Sequence, residues 1–191
     1  MNISTTRALK EWAIAISALN TGQTILLLRK GGIRETENQF QVQENDASIW
    51  LYPTYEHQRP EHLKPNYRDR VTPVESGWHP ETVEITSGAK ITHRFHLTQE
   101  SQVKLLSEEY IWTENYICDR LHWKPKNPLC LLLLRVYCLP EAVSFPYQDS
   151  YGGCKSWIDL QSPIVSDTLI PVIGDREYEK RCDRILNLLK D

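Results

Sequence analysis

Phenylalanine is scarce in this chain, with three residues against six Trp and nine Tyr. Most of its rings therefore carry a polar tip that wants a hydrogen-bond partner, so part of the aromatic set is expected at core edges or in a groove. Cysteine is present but does not pair up. Cys118, Cys130, Cys138, Cys154 and Cys182 form an odd set without short regular spacing, which speaks against a disulfide framework. It also lacks the paired-Cys pattern of a zinc site, so no metal is expected. The longest apolar run, Leu129 to Leu134, is far too short to cross a bilayer. The chain shows no basic-then-apolar leader pattern, and a cytoplasmic protein without a membrane partner is expected. An excess of positive charge is also missing. The net charge is −3 and the isoelectric point is about 6.1, which disfavours a protein that coats duplex nucleic acid. There is no internal repeat and no low-complexity tract. The Gly pair at 31–32 lacks the Gly-rich spacing followed by Lys-Ser or Lys-Thr of a nucleotide loop, and the Asp with a following Glu-x-Lys triplet of a nuclease-like site is not found. No cofactor is implied.

What remains is ordinary globular material: 40% hydrophobic and 25% charged residues over 191 positions, enough for one domain with a filled core. The spacing of Leu9, Trp12, Ala13, Ile16 and Leu19 predicts a helix over 5–20. Thr24 to Leu28 and Ile49 to Tyr52 read as short buried strands, the second stopped by Pro53. Thr82 to Ile85 and Lys90 to Leu97 read as a hairpin about Ser87-Gly88. Thr98 and Thr113 are placed to cap helices. Leu129 to Leu139 is apolar on both faces, hence a central strand, stopped by Pro140. Asp175 is placed to cap a last helix carrying Tyr178, Cys182, Ile185 and Leu189 on one face. Helices and strands are interspersed without regular alternation. The expected class is α+β, with one mixed, strongly curled sheet flanked by helices. It would form a single domain over 1–191, with residues from about 170 to 191 as a helical appendage.

Three stretches carry candidate chemistry. In Arg29-Lys30-Gly31-Gly32-Ile33-Arg34-Glu35, a Gly pair allows an anion-binding nest of amides, with three cations around it. The same residues also suit an ordinary strand-ending turn. Trp50 to Gln58 puts Tyr52, Tyr55, Glu56, His57 and Gln58 at a strand end, where scaffolds present functional groups. There Glu56 and His57 are candidates for acid–base work. The bland alternative makes Trp50 and Tyr52 core. In Tyr151 to Trp157 a second Gly pair precedes Cys154, Lys155 and Trp157. Cys154 lacks the local partner a nucleophile needs and suits packing better. Arg135, inside the central strand, must be paired or line a cavity, and Tyr137 points the same way. The strand ends are expected to meet in one cleft, bringing Arg34, His57 and Lys155 together, with Arg135 and Tyr137 as its floor.

Taken together, LKEWAIAISALNTGQTILLLRKGGIRE, WLYPTYEHQ, IWTENYICDRLHWKPKNPL, RVYCLPEAV and YGGCKSW resemble a family of mostly cyanobacterial proteins known as domain of unknown function 1802. The resemblance covers about residues 5–160. It implies that these motifs belong together and that the host is a bacterium, and it transfers no activity. A looser resemblance links the opening, from helix through Asn-Thr-Gly-Gln to a strand ending in Arg29-Lys30, to the ASCH branch of PUA-like domains. Those are small curled barrels whose cleft takes RNA or modified nucleotides. Gly22 and Arg29 fit that branch's motif, while its Lys and Glu places are filled by other residues. The resemblance implies a PUA-like barrel. The leading expectation for function is a module binding a single nucleic-acid strand or a nucleotide. Rings of Trp50, Tyr52, Tyr55 or Trp157 would stack on a base, with Arg29, Lys30 and Arg34 at phosphate. The alternatives are an enzyme, hydrolase or nuclease-like, on a phosphorylated or carboxylated substrate using Glu56 and His57, and a protein-partner module docking through the C-terminal helix.

Overall fold

A computed structural model describes residues 3–30, 48–166 and 168–190. Among these residues seven strands form one mixed sheet. They are β1 (Ile3–Trp12), β2 (Leu26–Arg29), β3 (Ser48–Thr54), β4 (Thr82–Leu97), β5 (Leu129–Pro146), β6 (Trp157–Ser166) and β7 (Ile170–Pro171). The order is β2-β5-β4-β3-β1-β6, with β7 beside β5. Among the described residues only β1 and β3 run parallel; the other pairs are antiparallel. The class is α+β. The end strands β2 and β6 are not paired with each other among the described residues, so the sheet is open.

Both faces of the sheet are packed. Along β3, Ile49 and Leu51 enter a larger core while Trp50 and Tyr52 enter a smaller one, the two-residue alternation of a strand buried on both sides. In β1, Leu9 joins the larger core and Ala8 the smaller. The larger core gathers Leu129 to Leu134 of β5 and the apolar faces of α1 (Ala13–Asn20), α3 (Glu100–Leu105), α4 (Glu114–His122) and α5 (Asp175–Leu188). Each fully buried Leu there is worth roughly 1.5–3 kcal/mol. The short helix α2 (Pro65–Arg68) lies in the connection between β3 and β4 and buries none of its residues.

Several expectations are corrected. Residues 3–12 are strand, and helix begins only at Ala13. The polar Lys10 and Glu11 are buried there, and their hydrogen bonds reach the distant Tyr151, Gly153 and Arg29, which hides the strand from local pattern. Ser87 and Gly88 do not turn the chain. β4 runs through them, paired to Cys138 and Tyr137, with an irregularity between Ile85 and Ser87. Pro140 does not stop β5. Pairing with β4 lapses after Cys138 and resumes at Val143, so the residue without an N–H sits where no ladder bond is needed. Thr113 caps α4, accepting from the Tyr116 amide. Asp175 begins α5 but caps nothing; Gly174 holds the cap position. The Asp175 carboxylate instead accepts from Arg135 Nη2 at 2.6 Å.

Gly22 closes α1. Its φ is 67°, and a Cβ there would stand 2.8 Å from Ile173 Cγ2. Both the left-handed backbone and the contact oppose a side chain. Gly22→Ala is expected to cost about 1–3 kcal/mol, read as a lower midpoint in urea with unchanged slope.

Candidate functional site

Because β1 and β3 are parallel, with Trp12 beside Thr54, and β6 is antiparallel to β1, with Trp157 beside Leu9, the ends of β1 and β3 and the approach to β6 lie together. The end of β2 joins them through Arg29, whose Nη1 meets Glu11 Oε2 at 2.6 Å. Between these ends and α4 opens a cleft of about 780 Å³, within the usual range for a small-ligand site. Six Lys and Arg line it against two Glu, in a chain of net charge −3.

The three candidate stretches therefore meet in part. Arg29, Lys30, Glu56, His57 and Lys155 all line the cleft, together with Cys154. Gly31, Gly32, Arg34 and Glu35 lie outside the described residues. Inside the cleft, most cations are already committed. Arg29 also donates from Nη2 to Ser156 Oγ at 2.7 Å. Lys30 is buried and its ammonium donates to the carbonyls of Leu121 and Asn127, at the end of α4. Lys10, on the floor, donates to the carbonyls of Tyr151 and Gly153. Burial lowers the pKa of both lysines. Lys155 donates to Ser150 O at 3.0 Å. Arg59 and Arg120 reach the cleft from its rim and from α4.

Its aromatic wall was not foreseen. Trp12, His62 and Tyr116 stack, with His62 and Tyr116 centroids 4.3 Å apart and Trp12 and Tyr116 5.6 Å apart. Arg120 lies 5.7 Å over the Tyr116 ring. Burial lowers the His62 pKa and raises that of Tyr116, so the stack is uncharged near neutral pH. Three separate segments build it, so no local motif announces it.

Beside the cleft, and sharing Lys10, Thr54, Glu56 and Tyr147 with it, is a small recess of about 30 Å³. Tyr52, Tyr55 and Tyr147 wall it. Gly152 lets Tyr147 approach: a Cβ there would stand 2.7 Å from the Tyr147 hydroxyl. Glu56 accepts from the Gly77 amide and so ties the 76–80 segment across the recess. His57 is exposed and holds φ at 62°.

Other expected residues stand elsewhere. Gln58 is buried. Its Oε1 accepts from Ile14 N at 3.0 Å, at the start of α1, and its Nε2 donates to Tyr55 O. Trp157 faces Arg7, 4.9 Å from its ring, and does not line the cleft. Arg135 and Tyr137 are not the cleft floor. Arg135 donates to Asp175 and to Ile173 O and lies between the rings of Tyr137 and Tyr178, so it fastens β5 to the start of α5.

Cys154 is exposed on the cleft, whereas Cys130 and Cys182 are buried. Burial pushes the Cys130 thiol up to about 11 and raises Cys182 as well. Iodoacetamide is expected to label Cys154 first, with Cys130 and Cys182 modified only on unfolding, read by peptide mass mapping.

The model of one protein family matches residues 8–184, nearly the whole described fold including most of α5. The chain belongs to the family described as domain of unknown function (DUF1802). Among curated proteins nothing matches. Among solved structures, this DUF1802 chain is similar to a mutant form of ZmASCH from Zymomonas mobilis. That likeness has 13% identity and a TM-score of 0.40, over 95% of this chain and 98% of that one, and is too slight to bear on ligand or barrel closure. No helix among the described residues is long and apolar enough to cross a membrane.

Proposed function

We propose that this DUF1802 protein binds a nucleotide or a short single strand of nucleic acid in the cleft. The observation that carries the reading is the local reversal of charge: six cations against two carboxylates in one concavity of an otherwise acidic chain. The adjoining stack of Trp12, His62 and Tyr116 supports it, because stacking platforms beside cations are how single strands are held without base pairing. The cleft volume suits one or a few nucleotides, not a duplex. The looser resemblance to the ASCH branch points to the same ligand class, and with it to a PUA-like barrel as the parent architecture. With Arg29, Lys10 and Lys30 holding the walls, the groups to meet phosphate are Arg59, Arg120 and Lys155, whose own contacts are surface ones that a phosphate can replace.

The test is anisotropy with labelled eight-nucleotide RNA and DNA and with free nucleotides. Three phosphate contacts would weaken strand binding roughly 20-fold between 50 and 200 mM salt. Arg120→Ala and Lys155→Ala are each expected to flatten that dependence. No binding at low salt by any of these ligands would end the proposal.

A catalytic reading has one observation in its favour. His57 stands on the cleft with a positive φ, and backbone strain collects at functional sites. It predicts a turnover that His57→Ala abolishes while binding persists. The partner-docking reading through the C-terminal helix has less support, because Tyr178, Cys182 and Ile185 already face the larger core.

A further inference from the structure

The small recess beside the cleft contains an unsatisfied group. Tyr52 is 2% exposed, and its hydroxyl has no hydrogen-bond partner among the described residues. Tyr52 lines the recess together with Tyr55, Tyr147 and Tyr151, and its ring meets that of Tyr151 edge to face at 5.6 Å. A buried O–H with no partner costs stability, and a water or a ligand atom that accepts from it removes that cost. At about 30 Å³ the recess has room for one water and no more.

What keeps it that small is the 78–80 segment. Trp78 meets Tyr55 edge-on at 5.7 Å, and the His79 imidazole lies flat on the Tyr147 ring, centroids 3.3 Å apart and planes within 8°. Both residues are exposed, with Trp78 46% so. This strap buries almost nothing. A planar nitrogen heterocycle from the protein thus occupies the face of Tyr147, a ring shared by recess and cleft.

We propose that His79 is a placeholder for a nucleobase. The ligand's base displaces the imidazole, stacks on Tyr147, and turns its hydrogen-bonding edge to the Tyr52 hydroxyl, while the phosphate stays in the cationic cleft. The inference rests on the nucleotide-binding reading and deepens it. It assigns base recognition to Tyr52 and Tyr147, and it makes the 78–80 strap the element that must yield. Burial raises the Tyr52 pKa, which keeps the phenol protonated and able to donate at any physiological pH.

Calorimetry with AMP, GMP, CMP and UMP, and with ribose 5-phosphate as the base-free probe, tests it on the full chain. His79→Ala removes a competitor and is expected to tighten the best nucleotide by about threefold or more, leaving ribose 5-phosphate unchanged. Tyr52→Phe is expected to weaken that nucleotide roughly 3- to 10-fold, again without effect on ribose 5-phosphate. Because Tyr52→Phe deletes an unsatisfied hydroxyl, its thermal midpoint should hold or rise, so the weaker binding is not a folding defect. Nucleotide binding that neither variant alters overturns the placeholder and leaves the cleft reading standing. Ribose 5-phosphate binding as tightly as every nucleotide does the same. Failure of all five ligands to bind the wild type and His79→Ala overturns the placeholder, and if the eight-nucleotide strands also fail to bind, the cleft reading falls with it.

Discussion

Arg29→Ala is expected to destabilise the fold by about 3–5 kcal/mol at neutral pH, because it strands a buried carboxylate. The Glu11 side chain is 5% exposed and that of Arg29 16%. One guanidinium nitrogen meets Glu11 at 2.6 Å and the other meets Ser156 Oγ at 2.7 Å. These bonds join the ends of β1 and β2 to the approach of β6. Glu11 keeps one partner in the variant, the Trp12 amide at 2.8 Å, but loses its counter-charge. Arg29→Ala combined with Glu11→Gln should cost less than Arg29→Ala alone, the signature of a coupled pair. Urea unfolding at pH 7 of the single and double variants reads both quantities. A cost under about 1 kcal/mol at pH 7 would mean that solvent already screens the pair as it does surface bridges, and the cleft wall would need another anchor. Arg29→Lys is expected to recover only part of the loss, since a single ammonium cannot span both acceptors.

That pair also shows where local reading stops. The central strand was legible because Leu129 to Leu134 is apolar without interruption, and the face of α5 was legible from Tyr178, Cys182 and Ile185. The Thr113 cap was legible from residue type. The first strand was not. Leu9, Trp12, Ala13, Ile16 and Leu19 fit a helical period by spanning a real strand and a real helix. The strand's polar residues Lys10 and Glu11 are paid for by partners up to 143 positions away. Ser87-Gly88 has turn chemistry, yet pairing with β5 continues through it. At the site, turn chemistry at strand ends pointed to Arg29, His57 and Lys155, which share the cleft. The Trp12, His62 and Tyr116 stack had no local sign. Its members come from a strand end, a short 3-10 turn and a helix, and only the folded chain juxtaposes them. Trp50 and Trp157 were credible stacking rings by composition. Burial and the Arg7 contact give them other work.

Trp50→Ala is the second large loss, expected to cost about 3–5 kcal/mol. Trp50 is fully buried in the smaller core, and its Nε1 donates to Thr5 O at 2.9 Å. Its sheet neighbours are Ala8 on β1 and Gly88 on β4, small residues that leave room for an indole and have at most a methyl group with which to refill its space. The cavity would therefore persist rather than collapse, which puts the cost toward the upper end. Trp50→Phe keeps most of the ring but leaves the Thr5 carbonyl without its donor, and should cost about 1–2 kcal/mol. The damage should also reach the ligand site, because Tyr52 and Tyr151 belong to the same core and lie 5.6 Å apart edge to face. In Trp50→Ala, assayed well below its melting point, nucleotide affinity should fall while ribose 5-phosphate binding holds, since the cationic walls are pinned through Glu11, Ser156 and α4 instead. Guanidinium unfolding followed by circular dichroism gives the first quantity and calorimetry the second. A cost below about 1 kcal/mol would show that the smaller core adds little to the stability of the sheet.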